Sequence, residues 1–176
     1  MNAGCGTGLA CIVAGKLGAT KVYATDGNEE VVRLAQKNIE RNNLSSTVEA
    51  TKLQWGILDA SEYYDTADII IGSDLTYNSG SWRVLAETVS SILKPGGIFL
   101  YLSLGHSGFN VQGELNGFIS VTQNMGLVEI KEGTNRWPWK DFAPSLNSLL
   151  QKGLTVEEQA IIDGTGGVRI VLIQRV

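Results

Sequence analysis

Short β-branched runs and longer stretches with apolar residues at helical spacing follow one another along the chain. Gly4-Cys5-Gly6-Thr7-Gly8 passes into Leu9-Ala10-Cys11-Ile12-Val13-Ala14-Gly15-Lys16-Leu17, whose apolar positions predict a buried helix closed by Gly18. Lys21 to Thr25 predicts a short strand, and Asp26-Gly27-Asn28 supplies its sharp turn. From Glu29 to Asn42, Val31, Val32, Leu34, Ala35 and Ile39 mark one face of an amphipathic helix, with acids in its first turn favourable to the helix dipole.

Ser46 to Leu53 predicts a weaker strand leading to Gln54-Trp55-Gly56, followed by an acidic surface stretch from Asp59 to Asp68. Ala67 to Ser73 contains Ile69-Ile70-Ile71, the continuous run of a parallel strand buried on both faces. Ser81 to Leu93 predicts a helix with Trp82, Leu85, Val89, Ile92 and Leu93 on one side, stopped by Lys94-Pro95-Gly96-Gly97. Ile98 to Leu104 is a further apolar strand, Phe109 to Met125 contains a helix, and Leu127 to Ile130 is a strand. Gly133 to Gly153 reads as an insertion whose Trp137, Trp139 and Phe142 form either a wall for a peptide or packing onto the sheet. An N-capped helix from Thr155 to about Asp163 and a closing strand from Val168 to Val176 complete the order.

This alternation predicts an α/β fold: a doubly wound, Rossmann-like, mostly parallel sheet in one domain spanning residues 1–176. With 43% apolar residues the chain can bury one core. Its net charge of −4 lacks the basic excess that a nucleic-acid binder uses to displace counterions, so a nucleic-acid partner is disfavoured. No apolar run approaches the roughly 20 residues of a membrane span, and the first residues carry loop chemistry where a signal peptide would have a basic start. A soluble, cytoplasmic protein is expected. Cys5 and Cys11 are six apart, outside the spacing of zinc half-sites and redox pairs. Both are expected to be free thiols, with no metal site. His106 follows the apolar strand as a loop residue or, less simply, a pocket base.

Doubly wound sheets bind ligands beyond the carboxyl ends of their strands, and the unusual polar residues fall there. Gly4, Gly6 and Gly8 would let backbone approach a ligand and turn into a helix. Asp26, at the end of the next strand, sits where such folds place an acid to accept hydrogen bonds from ribose hydroxyls, although it also suits a turn or cap. The spacing lacks the third glycine of a dinucleotide loop, which would fall at Leu9. A ligand with a ribose and no bridging phosphates is expected, which disfavours a nicotinamide-dinucleotide enzyme.

These segments together resemble the seven-β-strand class I methyltransferases that use S-adenosylmethionine, and within them the protein lysine methyltransferases with an acidic-x-x-aromatic motif. Gly4-Cys5-Gly6-Thr7-Gly8-Leu9 is similar to the first cofactor loop, Thr25-Asp26-Gly27-Asn28 to the ribose-binding turn, and Leu53-Gln54-Trp55-Gly56 to the segment framing adenine. Gly72-Ser73-Asp74-Leu75-Thr76-Tyr77 resembles the diagnostic motif, and Leu93-Lys94-Pro95-Gly96-Gly97 the turn before strand five. The resemblance implies that Gly4, Gly6, Gly8, Asp26, Gly27, Asn28, Trp55 and Ser73 bind cofactor, and that Asp74 and Tyr77 position the incoming amine. It implies a lysine-bearing protein as substrate and an antiparallel last strand. The nucleophile must be a neutral amine, whereas a free lysine has a pKa near 10.4, so the site must take or disfavour its proton.

Gln54 departs from the acid often found at its place. The family's first strand should precede Gly4, yet only Met1, Asn2 and Ala3 do. A missing central strand and an N-terminally truncated chain are therefore expected, with buried backbone groups left unpaired at about 1–3 kcal/mol each. Two further functions stay open at this point: a class I methyltransferase acting on RNA or a small molecule, and a non-catalytic domain retained as a binding subunit.

Overall fold

The computed structural model describes residues 1–56, 59–104, 111–130 and 168–176. Seven strands form one sheet: β1 (Asn2–Ala3), β2 (Val22–Asp26), β3 (Val48–Lys52), β4 (Ala67–Ser73), β5 (Leu93–Leu104), β6 (Leu127–Ile130) and β7 (Val168–Arg175), in the order β3-β2-β1-β4-β5-β7-β6. The first five run parallel to one another, and β7 is antiparallel to both β5 and β6. Four helices are described: α1 (Leu9–Lys16), α2 (Glu29–Arg41), α3 (Trp82–Ile92) and α4 (Val111–Gln123). His106, the Gly133–Gly153 excursion with its aromatic residues, and the Thr155–Asp163 helix lie outside the described residues.

Alternation along the strands divides the core between two faces. Val22 and Ala24 join Cys11, Ile12, Ala35 and Ile39 under α1 and α2, while Tyr23, between them, points to the opposite cluster with Leu85, Val89, Leu115 and Phe118 under α3 and α4. Phe99, Tyr101 and Phe118 are fully buried there and touch ring to ring. The helix termini follow local chemistry: Asn28 caps α2 by accepting from the Glu30 N–H at 2.9 Å, and Glu29 and Glu30 occupy its first turn.

Five expectations change. The first central strand is not absent: Asn2 and Ala3 pair with Ala24 and Thr25 on one side and with Ile71 and Gly72 on the other. Met1 extends the ladder, donating from its α-ammonium to the Ile69 carbonyl and accepting from the Ile71 N–H, each at 2.9 Å. Beside this two-residue strand, a slot of about 550 Å³ lies between β2 and β4 at their amino ends. Ile69 lines that slot and is 48% exposed, so β4 is not buried on both faces throughout. Next, α1 is not buried all round: Cys11 and Ile12 face the sheet, but Leu9, Val13 and Leu17 are exposed. The acidic stretch after Gly56 is not wholly on the surface either, since Ala60 and Tyr63 are buried and Tyr63 meets the Tyr23 ring edge-on at 5.1 Å. Lastly, β5 begins at Leu93, already paired with Ala67; the Lys94–Gly97 turn is an irregularity within it, before pairing resumes at Ile98.

Candidate functional site

The sheet order reverses at β1, which has β2 on one side and β4 on the other, and such a switch point is where open α/β sheets hold ligands. A cavity of about 390 Å³ lies there, within the roughly 300–1,000 Å³ of small-molecule sites. Each of its walls is the segment that leaves the carboxyl end of a strand: Gly4 and Gly6 after β1, Asp26 and Gly27 after β2, Leu53, Gln54 and Trp55 after β3, and Ser73, Asp74, Leu75 and Tyr77 at the end of β4. Eight residues singled out from sequence therefore meet around one space: Gly4, Gly6, Asp26, Gly27, Trp55, Ser73, Asp74 and Tyr77.

Gly8 and Asn28 do not line the cavity; they shape its walls. Gly8 is the N-cap of α1 in the left-handed region, φ 84°, with its N–H on the Cys5 carbonyl at 2.9 Å. Asn28 caps α2. Gly4 is glycine for two reasons: its φ of 68° is unfavourable for any residue with a Cβ, and a Cβ there would lie 2.6 Å from Leu75 Cδ2. That close approach brings the first loop against the segment after β4. Trp55 closes the same corner, its ring 3.8 Å from the position a Gly4 Cβ would take.

The loop is braced by β2, by the turn after it and by α2. Asp26 Oδ2 accepts from the Gly6 N–H at 3.3 Å, and Asp26 Oδ1 accepts from the Asn28 N–H at 3.0 Å. A carboxylate has about four acceptor positions, so both oxygens keep capacity for hydroxyl donors. The Cys5 N–H donates to the Thr25 carbonyl at 2.7 Å, and Asn38 of α2 donates from Nδ2 to the Thr7 carbonyl at 2.9 Å. Burial pushes the Cys5 thiol up to about 12, with smaller contributions from Cys11 and Asp26, and pushes Cys11 up to about 11. Both thiols are free and buried, so they stay protonated packing groups beneath the loop.

Beyond β4 the backbone turns through Asp74 at φ 57°, a left-handed conformation uncommon for a residue other than glycine. The Asp74 N–H donates to the Leu102 carbonyl at 2.8 Å. The segment then sends Leu75 and Thr76 inward, 7% and 1% exposed, and Tyr77 outward, 67% exposed. Sequence reasoning missed the groups that hold this turn: Tyr101 Oη accepts from the Leu75 N–H at 2.9 Å and from the Thr76 N–H at 3.1 Å. The signal was a hydroxyl-bearing tyrosine inside the apolar strand Ile98 to Leu104, since a fully buried Tyr must place its O–H on a partner.

Comparison with known proteins decides among such sites. The sequence profile of a family described as lysine methyltransferase matches residues 1–107. The chain belongs to the lysine methyltransferase family. A calmodulin-lysine N-methyltransferase of Arabidopsis thaliana is 37% identical over 95 residues, covering 52% of this chain and 31% of that protein. A ribosomal protein L11 methyltransferase of Desulforamulus reducens is 35% identical over 99 residues, covering 56% and 30%. The chain thus spans about a third of the length of these curated relatives. Geranyl diphosphate C-methyltransferase from Streptomyces coelicolor A3(2), solved with S-adenosyl-L-homocysteine, shares the fold with a TM-score of 0.64 at 16% identity, over 99% of this chain and 70% of that one.

The residues present fit S-adenosylmethionine, the cofactor that the family match implies. Asp26 would offer acceptors to ribose hydroxyls, Gly4 and Gly6 would leave bare backbone for the amino-acid tail, and Trp55 would give an aromatic wall with Gln54 at its side. The lining carries two carboxylates, Asp26 and Asp74, and no lysine or arginine among the described residues, which suits a cationic occupant and not a pyrophosphate.

Proposed function

We propose that this chain moves the methyl group of S-adenosylmethionine to a lysine side-chain amine of a protein. The observation that carries the reading is the convergence of the glycine loop, the Asp26 carboxylate, Trp55 and the Ser73-Asp74 turn on one cavity lined by two carboxylates and, among the described residues, by no lysine or arginine. The bound donor supplies an activated methyl on a sulfonium, which leaves the protein to orient the acceptor and exclude water. Asp74, at the mouth beside Ser73, positions and polarises the incoming amine, which must lose its proton before it can act as a nucleophile. Tyr77, exposed at the rim, lies against the carbon stem of the lysine and guides it inward. Acidic lining favours arrival of an ammonium from solution, and the net charge of −4 argues for a basic protein segment over nucleic acid. A cytoplasmic setting without a membrane partner belongs to the same proposal; among the described residues no helix is long and apolar enough to cross a membrane.

The test uses cell lysate, a radiolabelled methyl donor and the purified chain, with and without nuclease. Label that stays with protein after nuclease and maps to a lysine Nε supports the proposal. Label that disappears with nuclease moves the substrate to RNA, and no transfer together with cofactor binding moves the chain to a non-catalytic role. Replacing Asp74 with Ala and Tyr77 with Phe together is expected to abolish turnover while cofactor still binds; intact turnover would remove both residues from the mechanism.

A further inference from the structure

Thr76 is 1% exposed and touches neither cavity nor solvent, yet a continuous polar chain runs through it. Its N–H donates to Tyr101 Oη at 3.1 Å, its Oγ1 lies 2.9 Å from the same oxygen and 2.8 Å from Glu114 Oε1, and its carbonyl accepts from Trp82 Nε1 at 2.7 Å. Resting on the function proposed above, we propose that Tyr101 and Glu114 are positioning residues, which hold Asp74 and Tyr77 in their transfer geometry through Thr76.

Counting protons fixes the direction of the chain. The Tyr101 oxygen accepts from the Leu75 and Thr76 amides. The Thr76 hydroxyl has one proton, and the Glu114 carboxylate, an acceptor only, takes it. The 2.9 Å contact between the two hydroxyls is therefore Tyr101 donating to Thr76. Two backbone amides feed a tyrosine, the tyrosine feeds a threonine, and the threonine feeds a carboxylate, each bond polarising the next. Burial raises the Tyr101 pKa, which keeps the phenol protonated for this role; Ser103 is a further hydrogen-bond neighbour of its hydroxyl.

The arrangement has a mechanical consequence for the site. Asp74 holds an uncommon left-handed conformation, and a backbone there relaxes unless its neighbours are fixed. Its own N–H is held by the Leu102 carbonyl, the next two amides by Tyr101, and the Thr76 carbonyl by Trp82. β5, α3 and α4 thus each hold one part of a segment whose first and last residues face the substrate. Glu114 ties the α4 end of this brace to a residue that its own side chain does not share with the cavity.

Single substitutions separate bracing from mere stability. Tyr101→Phe keeps the ring and removes the hydroxyl; Thr76→Val and Glu114→Leu break the chain, whereas Thr76→Ser and Glu114→Gln preserve its acceptors and donors. Each full-length protein is assayed for S-adenosylhomocysteine affinity, for kcat and KM with purified calmodulin and ribosomal protein L11, and for amide hydrogen exchange. Breaking variants are expected to lower kcat about 10- to 100-fold, as small misplacement of reacting groups does, with KM and cofactor affinity within about threefold. The conservative variants are expected to stay within about threefold of the parent in kcat. In Tyr101→Phe the Leu75 and Thr76 amides are expected to exchange roughly tenfold faster or more, whatever the substrate.

A lowered melting temperature with unchanged kcat overturns the proposal, as does equal loss of kcat in Thr76→Ser and Thr76→Val. Unchanged exchange of the two amides in Tyr101→Phe overturns it even in an active enzyme. A parent protein that binds S-adenosylhomocysteine but methylates neither these probes nor any protein of a cell lysate counts against the proposed function, and the exchange data then decide alone whether the brace exists.

Discussion

Substituting Gly4 with Ala tests how the cofactor loop and the segment after β4 fit together. Two costs add at this position. A Cβ at φ 68° brings the strain of a left-handed L-residue, about 1–2 kcal/mol. The same Cβ would sit 2.6 Å from Leu75 Cδ2 and 3.8 Å from the Trp55 ring, and forcing a methyl into such a space costs about 1–3 kcal/mol. The expected loss is roughly 2–5 kcal/mol, or a melting temperature lower by about 4–20 °C for a chain of this size. A double-mutant cycle with Leu75→Ala apportions it, because removing Cδ2 abolishes the clash and leaves the strain. Gly4→Ala should then cost only about 1–2 kcal/mol in the Leu75→Ala background, giving a coupling of about 1 kcal/mol or more. Thermal and denaturant melts of the four proteins measure it, with S-adenosylhomocysteine affinity followed in parallel, since both residues line the cavity. Equal costs in both backgrounds would refute the claim that Gly4 is there to admit Leu75.

Three more outcomes are expected. Cys5 and Cys11 are held protonated to about 12 and about 11, whereas unfolded thiols ionise near 8.5, so stability is complete below about pH 8 and falls as pH rises toward the folded values. Unfolding free energies from denaturant melts between about pH 8 and 10.5 should fall by at most about 1.4 kcal/mol per pH unit for each thiol, and Cys5→Ala should flatten the slope. Asn38→Ala removes the hydrogen bond to the Thr7 carbonyl and should cost about 0.5–1.5 kcal/mol together with a few-fold weaker cofactor affinity, measured by melting and calorimetry; unchanged affinity would free the loop from α2. The slot beside Met1 should accept an extended apolar segment fused ahead of it: six valine, isoleucine and leucine residues are expected to raise the melting temperature by roughly 5 °C, and the same segment with a central proline is not, because proline removes a ladder donor.

Legibility from sequence followed the range over which the determining forces act. The termini of α2 and the span of β4 follow from local pattern, as Asn28 and the Ala67–Ser73 run set them without reference to distant residues. The ligand cavity was legible in two steps: a doubly wound sheet places every strand's carboxyl end on one rim, which put the glycine loop and Asp26 there, and the resemblance to a known family added Trp55 and Asp74. Packing that depends on partners far along the chain was not. The exposure of Ile69 follows from how much of the central position β1 fills, and the exposed face of α1 has no signature in a segment that is apolar nearly all round. Tyr101 and Glu114 escaped notice for a related reason: they act on Thr76 from 25 and 38 residues away, through hydrogen bonds that no periodicity encodes.

Isothermal titration of S-adenosylhomocysteine into the purified chain and into Asp26→Ala tests the central claim most directly. The account predicts saturable one-to-one binding by the parent chain and a loss of about 100-fold or more in the variant, from two hydroxyl bonds to a charged acceptor at about 1.5–3 kcal/mol each. Equal affinity in the two proteins, or no binding by the parent chain, would contradict it.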